Sequence, residues 1–415
     1  MNISSLPTVE GYKFSADDIV PGAGKSGLWF GRAWVPAALA RDGVAGPRVV
    51  TLRDGLVVDA SEHFLTISDL LSAPDPVAAV KAAQDGPVLG KLATVLEDSM
   101  LTRRAPRLKE ETRVVLMAPN DLQAIKACGV TFVRSLLERV VEEKAKGDKS
   151  AALSIRNLIQ ETLGDDLSQI KPGSPATVDL KQRLLAEGMW SQYLEVGIGP
   201  DAEVFTKAQA SSAVTCGMQI GILPESTWNN PEPEVVLAVS PTGKIVGATL
   251  GNDVNLRDYE GRSALLLGED KDQNASCSLG AFVRLFDDSF AIWDIEYCEV
   301  ELTLEGPDGF HTSGRNKMAE ISRSPAELVA QVYSAHHQYP DGFLLFLGTM
   351  FAPTVDRDAP GEGFTHKLGD RVEIASPLLG RLVNWVNHTD QVPPWEYGLG
   401  EFIRFLRRSI APQPQ

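Results

Sequence analysis

"PEPEVVLAVSPTGKIVGATLGNDV", residues 231–254, is the stretch on which the reading of the fold turns. The run 235–239 is rich in β-branched residues and reads as a strand. Pro241 and Gly243 suit a tight turn, and the chain returns from Ile245, so the whole reads as a β-hairpin. In an extended chain, side chains two apart share a face. Glu232 and Glu234 therefore stand side by side at the lip of an apolar strand. Neighbouring carboxylates repel and raise each other's pKa, so the placement asks for a reason. If Ser240 pairs with Gly243, partner numbers sum to 483, and Asp253 lies two residues beyond the position facing Glu232. A loop two residues longer makes the sum 485 and puts Asp253 directly opposite Glu232. Only an odd loop, with a one-residue bulge, turns Asp253 to the other face. Two of three registers thus bring three carboxylates to one point, with no basic partner nearby in sequence. Such an all-oxygen set suits a hard divalent ion, Mg2+ first and Mn2+ second. The alternative is a solvated strand end carrying ordinary surface acids.

The 415 residues suffice for two domains with sizeable cores, and no apolar run is long enough to span a membrane. The start, "MNISSLPTVEGYKF", lacks a basic then apolar leader, so no signal peptide is expected. A net charge of −16 argues against a nucleic-acid partner, which needs clustered Lys and Arg. Cys128, Cys216, Cys277 and Cys298 lie far apart without metal-type spacing and read as reduced thiols of a cytosolic protein.

Residues 1–110, rich in Gly, Ala and Pro with short strand-like runs, read as a small mixed N-terminal domain. "PGAGKSG" (21–27) is not a phosphate loop: that motif needs Gly where Ile19 stands. Residues 111–395 read as the catalytic domain. From Val133 apolar residues recur at helical spacing among dense charge, and residues 140–195 are expected to be a helical insertion and candidate lid beside a β-rich body. After it come short strands punctuated by "SPTGK", "EGPDG" and "YPDG", which suit a rolled β structure better than alternating βαβ units. Residues 396–415 read as an amphipathic C-terminal helix and tail that docks on the body.

Several further motifs arrive in one order. "KDQNASCSLGAF" places Lys271 nine residues before Gly280, "LLFLGTMFAP" supplies Gly348-Thr349, and "KLGDRVEIASPLLGRLVNWV" follows. With Glu232-Pro-Glu234 and Asp253 in "GNDVNLRD", the chain over about 115–390 resembles the fumarylacetoacetate hydrolase family. The resemblance implies a β-rich α+β fold: a rolled mixed-sheet catalytic domain with a helical insertion and a smaller N-terminal domain. It also implies a Mg2+ (or Mn2+) site on Glu232, Glu234 and Asp253, a cytoplasmic location, and a homodimer or homotetramer. Hydrolases of the family carry "GxNYxxHxxE", whose His and Glu prepare a water for C–C cleavage. Here "CGVTFVRSLLER" aligns as Gly129, Thr131, Phe132, Ser135 and Glu138, with Ser135 where the His belongs. A serine hydroxyl is a poor base near neutral pH.

The intervals 234–253 and 253–271, with "ACGVTF", "FTKA" and "HHQYPDGF", are similar to one subgroup, the 2-keto-3-deoxy-pentonate dehydratases of xylose and arabinose breakdown. Its members carry an acid before an "F-x-K" strand, which here is Glu203 in "DAEVFTKA", followed by Lys207. The resemblance implies a lyase acting on a small keto sugar acid and forming 2,5-dioxopentanoate. Glu203 would move the C3 proton, and Lys271 would face the developing oxyanion. Glu138 with Ser135 would handle the second proton, and Lys207 and Thr349 would bind substrate. Each also has a plainer reading: Glu203 a surface acid, Lys271 a loop lysine, Glu138 a solvated helix acid like Glu142 and Glu143, Thr349 a turn residue. His336, His337 and His366 rank below the carboxylates as bases. The competing functions are a hydrolase or decarboxylase of an acylpyruvate-like acid, and a non-catalytic binding protein.

Overall fold

The register of the central hairpin is 485. In the computed structural model, which describes residues 12, 15–102, 111–146, 148, 171–186 and 190–410, Glu234 pairs with Gly251 and Val235 with Leu250. The Asp253 amide donates to the Glu232 carbonyl at 3.1 Å, so the two acids face each other. The route differs from either expected loop. The turn is odd, closing from the Ser240 amide to the Lys244 carbonyl at 2.8 Å, and a bulge between Ala238 and Val239 supplies the compensating step. The expectation that an odd loop with a bulge would turn Asp253 away does not hold: the odd loop reverses the face and the bulge reverses it back.

Every residue of strand Pro233–Val239 is buried, as expected of a central strand covered on both faces. Its period-two side chains go to two different cores. Val235, Leu237 and Val239 join Leu345, Leu302, Ile374 and Leu382 in one. Val236 and Ala238 join Leu344, Phe346 and the helix residues Ile67, Leu70 and Val80 in the other. The first core lies between two sheets, and the second lies under the helices Ile67–Leu71 and Pro76–Ala83.

Among the described residues, thirteen strands form the larger sheet and five the smaller. In the larger, Pro233–Val239 runs between Ile245–Asp253 and Phe343–Phe346. Phe343–Phe346 pairs in parallel with Ala124–Cys128, which pairs antiparallel with Val204–Ala208. One hairpin and three strands remote from it in sequence thereby deliver their ends to one region. The N-terminal strands belong to the same sheet: Trp29–Val35 pairs with Phe282–Leu285.

The helical stretch expected over 140–195 lies partly outside the described residues (147, 149–170 and 187–189). Its described part starts earlier, with helix Val133–Ala145, and continues as Pro175–Ala186 and Gln192–Ile198. Leu136, Val140, Leu180, Leu184, Leu194 and Ile198 give these helices a small core of their own with Trp228. Pro21–Gly24 is a single 3-10 turn, with Lys25 exposed. The C-terminal helix Leu399–Ile410 has Phe402 and Phe405 buried against the guanidinium groups of Arg32 and Arg48. Among the described residues no helix is long and apolar enough to cross a membrane.

Candidate active site

Glu232, Glu234 and Asp253 each offer an oxygen within 4.8 Å of the others, and all three are 1% exposed. The strand register sets this up, and the end of strand Phe343–Phe346 completes it. The Gly348 amide donates to Glu234 Oε2 at 2.7 Å, and Thr349 Oγ1 donates to Glu234 Oε1 at 3.3 Å. Gly348 has φ +102°, and a Cβ there would lie 2.0 Å from Thr131 Oγ1, so the position admits glycine alone. Thr349 thus contacts a carboxylate of the cluster.

The basic partners absent from the local sequence come from afar. Lys271 Nζ lies 2.8 Å from Glu232 Oε2 and 3.4 Å from Asp253 Oδ2. The loop-lysine alternative fails, because Lys271 is 2% exposed. Lys207 Nζ lies 2.8 Å from Asp253 Oδ1 and donates to the Lys271 and Val254 carbonyls at 2.6 and 3.2 Å. Lys207 is fully buried and engaged by protein atoms, which does not agree with the substrate contact expected of it.

A second ring of charge went unseen in the sequence. Arg139, on helix Val133–Ala145, pairs with Glu232, with Glu142 at 2.7 Å and with Glu260 at 2.7 Å. Arg257 Nε lies 3.3 Å from Glu142 and donates to Asn230 Oδ1 at 2.6 Å. Glu142 is therefore not the solvated helix acid expected: it is fully buried between two arginines. Glu143 is only half-buried and accepts from Ser191. Glu138, half-buried, stands 3.8 Å from Arg257 Nη1 at the edge of the ring.

Glu203, just before strand Val204–Ala208, is partly exposed and lays its carboxylate on Gly129. A Cβ at Gly129 would fall 1.8 Å from Glu203 Oε2. Burial raises the Glu203 pKa; Arg139 and Lys271 oppose this, and the charges of Glu232 and Asp253 add to it. Ser135 is buried, and its Oγ donates to the Phe132 carbonyl at 2.9 Å. His336 and His337 are exposed. His366 is buried beside Asp370, Nδ1 to Oδ2 3.2 Å, in an ion-pair network with Arg357.

The electrostatics ask for a cation. Six acids of the connected cluster (Glu142, Glu232, Glu234, Asp253, Glu260, Asp270) are at most 3% exposed, against four bases (Arg139, Lys207, Arg257, Lys271) at most 7% exposed. With all six ionised, a deficit of two charges would sit away from water, where unpaired charge is costly. Burial pushes Glu232 up, but Arg139 and Lys271 outweigh it and hold the carboxyl well below its usual range. Glu234 is driven far the other way by burial and by the charges of Asp253 and Glu232. Burial likewise pushes Asp270 up to about 7. A divalent ion on three carboxylate oxygens supplies the missing two charges, and the donor set is the kind Mg2+ takes. Among the described residues no other group of His, Cys, Asp and Glu is so arranged.

Residues 199–387 match the family described as fumarylacetoacetate (FAA) hydrolase C-terminal. The Haloferax volcanii protein named "Probable 2-keto-3-deoxyxylonate dehydratase" is 32% identical over 198 residues, 48% of this chain and 64% of that one. The chain thus spans a little under two thirds of that relative. The "2-dehydro-3-deoxy-D-arabinonate dehydratase" of Saccharolobus solfataricus is 25% identical over 265 residues, covering 60% of this chain and 85% of its own. A solved structure of 2-keto-3-deoxy-D-arabinonate dehydratase, complexed with magnesium and 2,5-dioxopentanoate, superposes with a TM-score of 0.55 at 17% identity. It covers 87% of this chain and 99% of that one, a likeness of fold.

Proposed function

Taking residues 199–387 as a domain of the fumarylacetoacetate hydrolase family, we propose that this protein is a metal-dependent lyase. It removes water from a 2-keto-3-deoxy-pentonate to give 2,5-dioxopentanoate. The observation that carries the choice of elimination over carbon–carbon cleavage is Ser135. Its hydroxyl is buried and donates to the Phe132 carbonyl, so nothing at that position can pull a proton from a hydrolytic water. The names of the two curated relatives and the product-like ligand of the solved structure support the same substrate class.

Glu232, Glu234 and Asp253 would hold the ion, which when bound supplies Lewis acidity to a neighbouring ketone. Glu203 takes the C3 proton, and burial raises its pKa and so its basicity. Lys271, kept charged by Asp253 and Glu232 against the pull of burial, faces the oxyanion that forms as that proton leaves. The C4 hydroxyl departs with a proton, which Glu138 at the half-buried edge would supply. The resulting C3–C4 alkene shifts to an enol and then to the C5 aldehyde, with one water released and every carbon–carbon bond intact. Thr349 steadies Glu234, and Lys207 steadies Asp253. The three helices that share a core around Trp228 are the candidate cover. Mg2+ is the first ion of this reading and Mn2+ the second, and an assembly of two or four copies belongs to it.

Incubation with 2-keto-3-deoxy-xylonate or -arabinonate and Mg2+, coupled to a semialdehyde dehydrogenase, tests the proposal. Reduced nicotinamide should accumulate with one or both C4 enantiomers and stop on adding EDTA. No signal with either enantiomer would overturn it.

A further inference from the structure

The contact between the Glu203 carboxylate and Gly129 is held from outside by one three-residue segment, 321–323. Helix Gln192–Ile198 ends at Gly199, and the last carbonyls of a helix have no partner within it. Arg323, 8% exposed, takes one of them and the two carbonyls just past the helix: its guanidinium donates to Val196 at 3.1 Å, Gly199 at 2.7 Å and Pro200 at 3.3 Å. Only Asp201 and Ala202 separate this clamped turn from Glu203. Downstream, Val204–Ala208 is locked to Ala124–Cys128 in the sheet. Glu203 therefore lies between two anchors, with its own carbonyl accepting from the Gly129 amide at 3.3 Å, and Arg323 makes the upstream one.

The same segment grips the other side of the contact. The Ser322 amide and hydroxyl both donate to the Thr131 carbonyl, at 2.8 and 2.9 Å, and Ile321 bridges Phe132. Thr131 in turn donates from Oγ1 to the Leu347 carbonyl, next to the Gly348 amide that holds Glu234. The turn 129–132 on which the carboxylate rests is thus referenced to the peptide that carries Arg323.

We propose that Arg323 is a positioning residue that holds the Glu203 carboxylate at its place over Gly129. A rigid planar fork can meet three carbonyls at fixed angles, which a lysine cannot. This rests on the reading of Glu203 as the group that accepts the C3 proton. Capping of the helix alone would make Arg323 a matter of stability, and the two roles part in a double-mutant cycle.

Arg323→Met keeps the aliphatic stem and removes the donors. With 2-keto-3-deoxy-pentonate and saturating Mg2+, its kcat should fall ~10- to 100-fold, as for a catalytic group displaced by up to an ångström. KM and the Mg2+ dissociation constant should stay within about threefold. In the Glu203→Gln background the same change should lower kcat less than about twofold further, because Arg323 acts through a group already removed. Arg323→Lys should fall between Arg323→Met and wild type, and it serves in both backgrounds should the methionine variant fail to fold. Wild-type kcat in Arg323→Met and Arg323→Lys while Glu203→Gln is disabled would overturn the assignment. So would losses that multiply in the double variant. Wild-type kcat in Glu203→Gln would instead overturn the reading of Glu203 itself, and the inference with it.

Discussion

Gly129→Ala is a one-carbon test of whether the position of Glu203 matters. The three atoms nearest to the added Cβ all belong to Glu203: Oε2 at 1.8 Å, Cδ at 2.6 Å and Cγ at 3.3 Å. Ordinary contact begins at 3.4 Å, so the carboxylate oxygen must retreat by about 1.6 Å. Gly129 is not among the residues with positive φ, so alanine suits its backbone, and the clashing atoms are the free end of a flexible side chain. The fold should therefore survive while the carboxylate moves. A misplacement of ~1 Å in a catalytic group can cost ~10²-fold, and that sets the expected loss in kcat. The loss should not exceed that of Glu203→Gln, for which the usual worth of a general acid–base group gives ~10²–10⁴. The assay is steady-state turnover of a 2-keto-3-deoxy-pentonate at saturating Mg2+, with a thermal melt of each variant. KM should stay within about threefold and the melting temperature near that of wild type. Wild-type kcat in Gly129→Ala, alongside a disabled Glu203→Gln, would show that catalysis does not depend on where this carboxylate rests.

Glu234→Gln should abolish calorimetric Mg2+ binding, whereas wild type should gain ~2.7 kcal/mol of stability at a hundredfold excess over Kd; equal binding by both proteins would remove Glu234 from the ligand set. Phe405→Ala should destabilise by ~3–5 kcal/mol in urea, as loss of a buried Phe does, because Phe405 is 2% exposed beneath Arg48; a loss under ~1 kcal/mol would mean that the C-terminal helix is not docked. Burial holds the His366 pKa below its ordinary 6.5, with Asp370 only partly offsetting it. As pH falls below that value the unfolded chain takes up a proton that the folded chain refuses, so stability declines. His366→Gln should flatten the denaturation midpoint between pH 7 and pH 5, and an undiminished slope would contradict the burial argument.

The acidic centre was legible because strand parity and a turn are local facts. Glu232 and Glu234 share a face in any strand, and the returning strand leaves few places for Asp253. The bulge at Ala238 was not legible, since an odd turn plus a bulge leaves the same alternation as an even turn. Ser135, Glu138, Arg139 and Glu142 follow i, i+3, i+4, i+7 spacing, which marks one helix face whether it meets water or protein. What buries that face is Glu232, Glu260 and Arg257, the nearest of them 90 residues away in sequence. No window on the helix contains them. Lys207 shows the same limit: a strand position tells which face a side chain takes, not that its ammonium ends against Asp253. The N-terminal strands looked separable because their composition differs from the rest, yet Trp29–Val35 finds its partner in Phe282–Leu285. Pairing at that separation leaves no local trace.

Elimination of water and cleavage of a carbon–carbon bond are told apart by 13C NMR of one enzyme sample given a uniformly labelled 2-keto-3-deoxy-pentonate and, separately, an acylpyruvate, both with Mg2+. The sugar acid should convert to five-carbon 2,5-dioxopentanoate with all four carbon–carbon couplings intact, and the acylpyruvate spectrum should not change. Release of pyruvate from the acylpyruvate, with the sugar acid untouched, would contradict the proposed elimination and would mean that Ser135 does not decide the chemistry.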